Sequence, residues 1–159
     1  LDTLDPQRFK EMTPRDRFDD VIAGIDAAKE AGLLPVKVNA VLLRGVNDHE
    51  AVPLLRHSLA NDWKLRFIEQ MPLDAGGLWA RPVMVTADEI MTMLSAEFEL
   101  TPVPARGSAP AEEFYVDGGP ATVGIIASVS RPFCAACDRL RLTADGQFRN
   151  CLFAQDPAE

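Results

Sequence analysis

Along the first hundred residues the apolar positions change period from one segment to the next. Phe18, Val21, Ile22 and Ile25 recur at i, i+3, i+4 and i+7, the spacing of one helix face, and Gly32 stands where such a helix would stop. Val36-Lys-Val-Asn-Ala-Val-Leu-Leu43 is a compact apolar run interrupted by Lys37 and Asn39, and it predicts a buried strand. Asn47-Asp-His-Glu50 has the form of a capped helix start, and Val52, Leu54, Leu55 and Leu59 supply the helix behind it. Leu65-Arg-Phe-Ile-Glu-Gln-Met71 predicts the next strand, and a loop with Pro72, Gly76, Gly77 and Pro82 follows. Thr86-Ala-Asp-Glu89 is a capping box in front of Ile90, Met93 and Leu94. Helix, strand, helix, strand, helix is the rhythm of an α/β fold with a parallel sheet. In barrels built this way the chemistry sits at the C-terminal ends of the strands.

The last third has a different texture. Pro102, Pro104 and Pro110 break up residues 101–112, and short strand candidates follow at Phe114–Val116, Thr122–Ser128, Leu140–Leu142 and Phe148–Asn150. Ala144-Asp-Gly146 reads as the hairpin turn between the last two. That hairpin carries Cys151 back toward Cys134 and Cys137.

Polar residues inside the strand patterns are the first candidates for chemistry. Lys37 and Asn39 lie two apart and share one side of their strand. Their apolar neighbours argue for burial over a wet edge, and a lysine held in a barrel mouth needs an anion. Arg66 and Glu69 lie three apart and face opposite sides of a regular strand, a pattern that favours two separately solvated charges. Met71, by pattern alone, is core filler. His49 and His57 are expected on the surface of one helix.

Composition narrows the field. The chain has 159 residues, 47% hydrophobic and 25% charged, an ordinary globular balance. No apolar run approaches the roughly 20 residues of a membrane helix. The net charge of −8 argues against a broad nucleic-acid-binding surface. A small anion is compatible with it, because local arginines decide that matter. The chain opens on Leu1 and closes on Asp156-Pro-Ala-Glu159, and is expected to be a piece of a longer protein.

The three cysteines carry the strongest signal. They read Cys134-Ala-Ala-Cys137-Asp-Arg139-Leu-Arg141-Leu-Thr143, with Cys151 further on. An odd, clustered set suits reduced cytoplasmic thiols serving a metal or cluster better than a disulfide framework. A close pair plus one distant thiol makes a cradle that leaves one position of a metal centre open. Arg139 and Arg141, at alternate positions of a strand, aim two positive charges to one side. On the residues alone, an iron–sulfur site, a three-cysteine zinc-binding module completed by water or His49, and three buried thiols all stay open.

Phe133-Cys134-x-x-Cys137-x-Arg139-x-Arg141-Leu-Thr-Ala-Asp-Gly146 followed by Cys151-Leu-Phe153 resembles the C-terminal cluster motif of the GTP 3′,8-cyclase family, radical S-adenosylmethionine enzymes of molybdenum cofactor biosynthesis. The likeness extends over nearly the whole chain, through Leu1-Asp-Thr-Leu-Asp5, Lys37-Val-Asn39, Arg44-Gly-Val-Asn-Asp48, Leu65-Arg-Phe-Ile-Glu69, Met71-Pro72 and Gly107-Ser-Ala-Pro110. It implies that residues 1–100 are the C-terminal half of an incomplete (β/α) TIM-type barrel. Residues 101–159 would be a small β-rich region binding a cluster and GTP.

By resemblance, Cys134, Cys137 and Cys151 would hold a second [4Fe–4S] cluster whose open iron meets the guanine of GTP. Arg139, Leu140 and Arg141 would line the GTP site, with the two arginines as its catalytic residues. Lys37 would contact GTP, Arg66 would be a further basic residue of the cavity, and Met71 would touch S-adenosylmethionine. The family reaction converts GTP to (8S)-3′,8-cyclo-7,8-dihydroguanosine 5′-triphosphate, and cyclic pyranopterin monophosphate synthase acts next. The enzyme is expected in the cytoplasm, with a homodimer among the open assembly states.

The departures are specific. No C-x-x-x-C-x-x-C occurs in these 159 residues, so the loop for the first cluster is absent, and so is the family's glycine-rich tail. The chain by itself is therefore expected to be inactive. Asp138 stands where asparagine is usual, and Pro14 replaces a common glycine in a loop leading into a helix. A peptide-maturing radical enzyme with an auxiliary cluster is the nearest competing reading; the Arg-x-Arg-x-Thr run after the second cysteine argues against it.

Overall fold

A computed structural model of the chain describes residues 1–73 and 79–153. The loop expected around Gly76 and Gly77, and the closing residues Asp156–Glu159, lie outside the described residues. One five-stranded sheet organises the rest, in the order β1-β2-β5-β4-β3. β1 (Lys37–Val41), β2 (Lys64–Ile68) and β5 (Thr122–Ile126) pair in parallel, whereas β4 (Glu112–Val116) pairs antiparallel with both β5 and β3 (Leu100–Pro102). The fold is thus α/β with a mixed sheet, and no closed barrel forms among the described residues. The parallel rhythm of the first segments holds for β1 and β2. It gives way because β3, β4 and β5 are joined by short connections, and the tight turn at Asp117-Gly118-Gly119 can only return the chain antiparallel.

After α1 (Pro6–Met12) and α2 (Phe18–Glu30), which precede β1, two helices pack beside the strands: α3 (Ala51–Ala60) crosses from β1 to β2, and α4 (Ala87–Ser95) follows β2. They cover one face of the sheet. There Val38, Ala40, Leu65, Phe67, Val123 and Ile125 meet Leu54, Leu55, Ile90 and Leu94 in a single buried cluster. Burial of these side chains at about 25 cal/mol per Å2 of apolar surface is what holds the sheet to its helices. The opposite face is open. Lys37 and Asn39 are both exposed on it, which corrects the expectation of a wholly buried strand: β1 has a core on one side only, and side-chain alternation puts its polar residues on the other.

Two helix starts behave differently. Thr86 and Glu89 form the expected capping box: the Thr86 N–H donates to Glu89 Oε2 at 2.8 Å and the Glu89 N–H to Thr86 Oγ1 at 3.3 Å. The Asn47–Glu50 signal is a staple and not a cap. Asn47 is buried; its Oδ1 accepts the Leu43 N–H at 2.7 Å while Nδ2 donates to the carbonyls of Asp2 and Val41. Glu50 turns to Thr3, to the Leu4 N–H and to Arg8. Both residues are spent on tying the first residues to β1, and a short 3-10 turn at Asp48–Glu50 leads into α3 instead. β3 was hidden by Pro102, which a sheet tolerates at an edge strand such as this one.

Candidate cluster and anion site

The open face of the sheet is roofed by residues 128–153, and a cavity of about 630 Å3 lies between them. Arg66 enters from β2, and Gly124 of β5 is directly opposite it. A Cβ on Gly124 would stand 2.9 Å from Arg66 Cγ and 3.2 Å from Ala111 Cβ, so the glycine makes room for the arginine's stem. Arg66 Nε donates to Asn39 Oδ1 at 2.9 Å, which holds the guanidinium along the sheet and inside the cavity wall.

Glu69 links the sheet to the roof. It is only 1% exposed, one residue beyond β2. Its Oε2 accepts the backbone N–H groups of Val129 and Ser130, each at 2.8 Å, and Oε1 accepts the Ala87 N–H at 2.8 Å and the Ser130 hydroxyl. Burial by itself raises a carboxyl pKa; these four donors overcome it and hold Glu69 below its ordinary value. The expectation of two separately solvated charges therefore fails. Glu69 faces into the protein because its carboxylate satisfies three backbone donors that would otherwise be buried unpaired.

From Ser130 the chain passes Phe133 into a 3-10 turn at Cys134–Ala136. Arg139 lies over the Phe133 ring with Cζ 5.1 Å from the centroid, and Arg106 approaches the same ring at 4.9 Å. Arg139 Nε donates to Cys137 Sγ at 3.3 Å. The Arg139 backbone N–H first, and then its guanidinium, hold the Cys137 thiol below its ordinary pKa against the opposing effect of burial. The hairpin of β6 (Arg141–Leu142) and β7 (Phe148–Arg149) closes the roof and delivers Cys151. Its turn is fixed by Thr143, whose N–H donates to the Gln147 carbonyl at 2.9 Å.

The cavity wall thus gathers Arg66, Met71, Cys134, Cys137, Arg139, Arg141 and Cys151. It does not include Lys37, exposed at the start of β1, or Leu140, which is 71% exposed on the outer side of the hairpin. Neither histidine lines it; His57 packs edge-on against Trp63, with centroids 4.9 Å apart. Asn39, already a candidate beside Lys37, acts here by holding Arg66, and Phe133, the first residue of the cysteine–arginine motif, acts by packing under Arg139. Gly124 is the site-shaping residue that a search for charged groups passes over, because its place opposite Arg66 is set by strand register alone.

All three thiols are free. Among the described residues no group of three or more His, Cys, Asp or Glu side chains is drawn together around a single ion. The donor set still has a definite chemistry. Three soft sulfur donors share one wall, no carboxylate among the described residues lines it, and a guanidinium favours the thiolate form of one of them. Such a set fits a thiolate-held group several atoms across, with cations beside it for an anion.

The class of protein these features define is an α/β domain whose mixed sheet has one face roofed by a segment carrying cysteines and arginines. The family described as Molybdenum Cofactor Synthesis C matches residues 63–159, and the chain belongs to that family. A GTP 3′,8-cyclase of Streptomyces coelicolor is 60% identical over 161 residues, covering 100% of this chain and 47% of that protein. A GTP 3′,8-cyclase of Mycolicibacterium smegmatis is 54% identical over 166 residues, covering 100% of this chain and 45% of that protein. A GTP 3′,8-cyclase 2 of Mycobacterium tuberculosis is 52% identical over 164 residues, covering 100% of this chain and 46% of that protein. The chain spans about half the length of the curated relatives it matches.

Proposed function

We propose that this chain forms the GTP-binding and second-cluster part of a GTP 3′,8-cyclase that acts in molybdenum cofactor biosynthesis. The observation that carries this reading is the shared cavity of the three cysteines, Arg139, Arg141 and Arg66. Relatives at 52–60% identity bearing that name support it. Cys134, Cys137 and Cys151 are the ligands of a [4Fe–4S] cluster. When bound, that cluster supplies an iron with an open position for a nitrogen or oxygen donor of the base.

The protein's own residues do the rest. Arg139 and Arg141 hold the triphosphate, and Arg66, pinned by Asn39, adds a third charge from the sheet side. Half-buried guanidiniums bind phosphate more firmly than exposed ones because they are partly out of water. Leu140 contributes its backbone and Lys37 reaches the substrate from the start of β1. Met71, at the cavity wall beyond β2, contacts S-adenosylmethionine. Residues 1–100 act as part of an incomplete TIM-type barrel and residues 101–159 as the cluster-bearing lid of its open face. The first cluster lies outside this sequence, in which no C-x-x-x-C-x-x-C occurs. A cytoplasmic setting suits three reduced thiols. The product is handed to cyclic pyranopterin monophosphate synthase.

Anaerobic reconstitution tests the reading. About four irons and matching sulfide per chain are expected, with a visible spectrum that GTP perturbs. Zinc without iron in folded protein, or a spectrum moved by a peptide and not by GTP, would count against it.

A further inference from the structure

Three side chains meet where the loop before β4 touches the roof. Arg106 Cζ lies 4.9 Å from the centroid of the Phe133 ring, and Arg139 Cζ lies 5.1 Å from the same centroid. A ring face attracts a cation, and the attraction grows as water is removed. All three residues are half-buried. Like charges that share one ring repel, so each guanidinium needs an anchor of its own. Arg106 has two: its Nε donates to the Ala109 carbonyl at 2.9 Å and its Nη2 to the Pro110 carbonyl at 2.6 Å. The backbone bends sharply around it, with φ of 63° at Ala105 and 59° at Gly107, both in the left-handed region. Arg139 is anchored by the bond from its Nε to Cys137 Sγ at 3.3 Å.

Phe133, Arg139 and Pro110 line the cavity, whereas Arg106 is not part of its wall. Arg139 is held by its Nε and by the ring, and among the described residues its Nη1 and Nη2 make no hydrogen bond or ion pair. The terminal fork is thus kept for a ligand while the rest of the side chain is fixed. We propose that Arg106 and Phe133 are positioning residues for Arg139: Arg106 clamps the Phe133 ring to the backbone at Ala109 and Pro110, and the ring sets the direction in which Arg139 offers its fork to the triphosphate. This rests on the reading of the cavity as a GTP site. The gain is preorganisation, because an arginine already held in its binding rotamer loses less side-chain freedom when the anion arrives. Phe133 directly precedes Cys134, so the same ring also seats the start of the 3-10 turn at Cys134–Ala136. No sequence motif marks Arg106, because the ring it holds lies far along the chain, beyond β4 and β5.

The test compares Phe133→Leu, Phe133→Tyr and Arg106→Gln, each alone and combined with Arg139→Gln, in anaerobically reconstituted protein, using GTP, guanosine and inorganic triphosphate as probes. Phe133→Leu keeps apolar bulk and removes the ring face, and is expected to weaken GTP and inorganic triphosphate about threefold to tenfold. Guanosine binding and iron content are expected to stay at wild-type values. Phe133→Tyr restores the ring face and is expected to recover most of the loss. Arg106→Gln is expected to weaken the same two probes about twofold to fivefold. With Arg139→Gln both losses should vanish, because both act through Arg139. A residue that only supports the fold would cost all three probes, with or without the Arg139 guanidinium. If Phe133→Leu loses its iron, Arg106→Gln, outside the cavity wall, decides the matter. Losses that persist alongside Arg139→Gln, or triphosphate binding unchanged in both Phe133→Leu and Arg106→Gln, overturn the assignment while leaving the GTP reading intact. Wild type that binds inorganic triphosphate with this coupling but does not bind GTP keeps the clamp and sinks the cyclase reading. Binding of neither probe by wild type overturns both.

Discussion

Glu69 Oε2 accepts the backbone N–H of Ser130 at 2.8 Å, joining the end of β2 to the segment that leads to Cys134. The same carboxylate takes the N–H groups of Val129 and Ala87, so strand end, roof and the first turn of α4 meet at one side chain. The cavity's two halves are therefore held in register by a single buried acid. Glu69→Gln leaves one oxygen for donors that now use two and turns an NH2 toward other N–H groups. It is expected to lower stability by about 2–3 kcal/mol. Thermal or urea unfolding measures it, and loss of cluster content should exceed what the stability change alone explains. The sign with pH follows from the lowered pKa of Glu69. Its contribution is fully present above the ordinary value of 4.5 and is lost as pH falls below that. An acid titration of wild type should fall more steeply below pH 4.5 than that of the Gln variant.

Gly124 and Arg66 make the second prediction. A methyl group at 124 would meet Arg66 Cγ at 2.9 Å and Ala111 Cβ at 3.2 Å. Cγ lies at the root of the Arg66 side chain and Ala111 Cβ cannot turn aside, so the strands must shift and Arg66 loses its bond to Asn39. Gly124→Ala should therefore weaken GTP binding several-fold and cost about 1–3 kcal/mol in stability. Asn39→Ala should weaken GTP in the same direction, and the double variant should show less than the sum of the two, because both act through Arg66. Equal and additive losses would show that Arg66 is held by something else.

The elements that could be read from the chain were those in which local pattern and tertiary role agree. The Phe18 helix, the two parallel strands, the Thr86–Glu89 box and the terminal hairpin all follow from periodicity or turn chemistry. That the three cysteines, Arg139 and Arg141 line one cavity was legible because Cys134 to Arg141 is one short run and the hairpin returns Cys151 to it. What escaped was set by partners distant in sequence. Glu69 looks like a stray charge until Val129 and Ser130 arrive from about sixty residues on. Asn47 and Glu50 look like caps until the first residues of the chain claim them.

Cys137 offers a test of how its thiol is tuned. Its pKa is lowered first by the Arg139 backbone N–H and only second by the guanidinium. A side-chain substitution removes the second and keeps the first. Arg139→Gln should thus raise the Cys137 pKa but leave it below the ordinary thiol value of 9.0. The pH dependence of alkylation of Cys137 in cluster-free protein, followed by mass spectrometry, measures this. A full return to the ordinary value would mean that the guanidinium alone acts. Cys134→Ser and Cys151→Ser should each abolish stable iron loading, since two thiolates do not hold a four-iron cluster firmly.

The Thr86–Glu89 cap gives a prediction independent of any ligand. The two Glu89 oxygens serve different partners: Oε2 accepts from the Thr86 N–H and hydroxyl, and Oε1 accepts from Arg44 Nη2 at 2.6 Å. The Thr86 N–H first, then Arg44 and the Thr86 hydroxyl, lower the Glu89 pKa from 4.5 to about 2. A lowered carboxyl pKa adds stability that is fully present above 4.5 and drains away as pH falls toward 2. Thr86→Ala removes the hydroxyl and should cost about 1 kcal/mol at neutral pH. Glu89→Gln keeps the shape and removes the charge, so it should cost less at about pH 3 than at about pH 7. The melting temperatures of Glu89→Gln and wild type should therefore converge in acid. Since Glu69 in the same protein also loses its advantage below 4.5, the comparison has to be made between the two proteins at each pH and not along one curve. A gap that stays constant from neutral pH into acid would mean that Glu89 acts by packing and hydrogen-bond geometry and not by its charge.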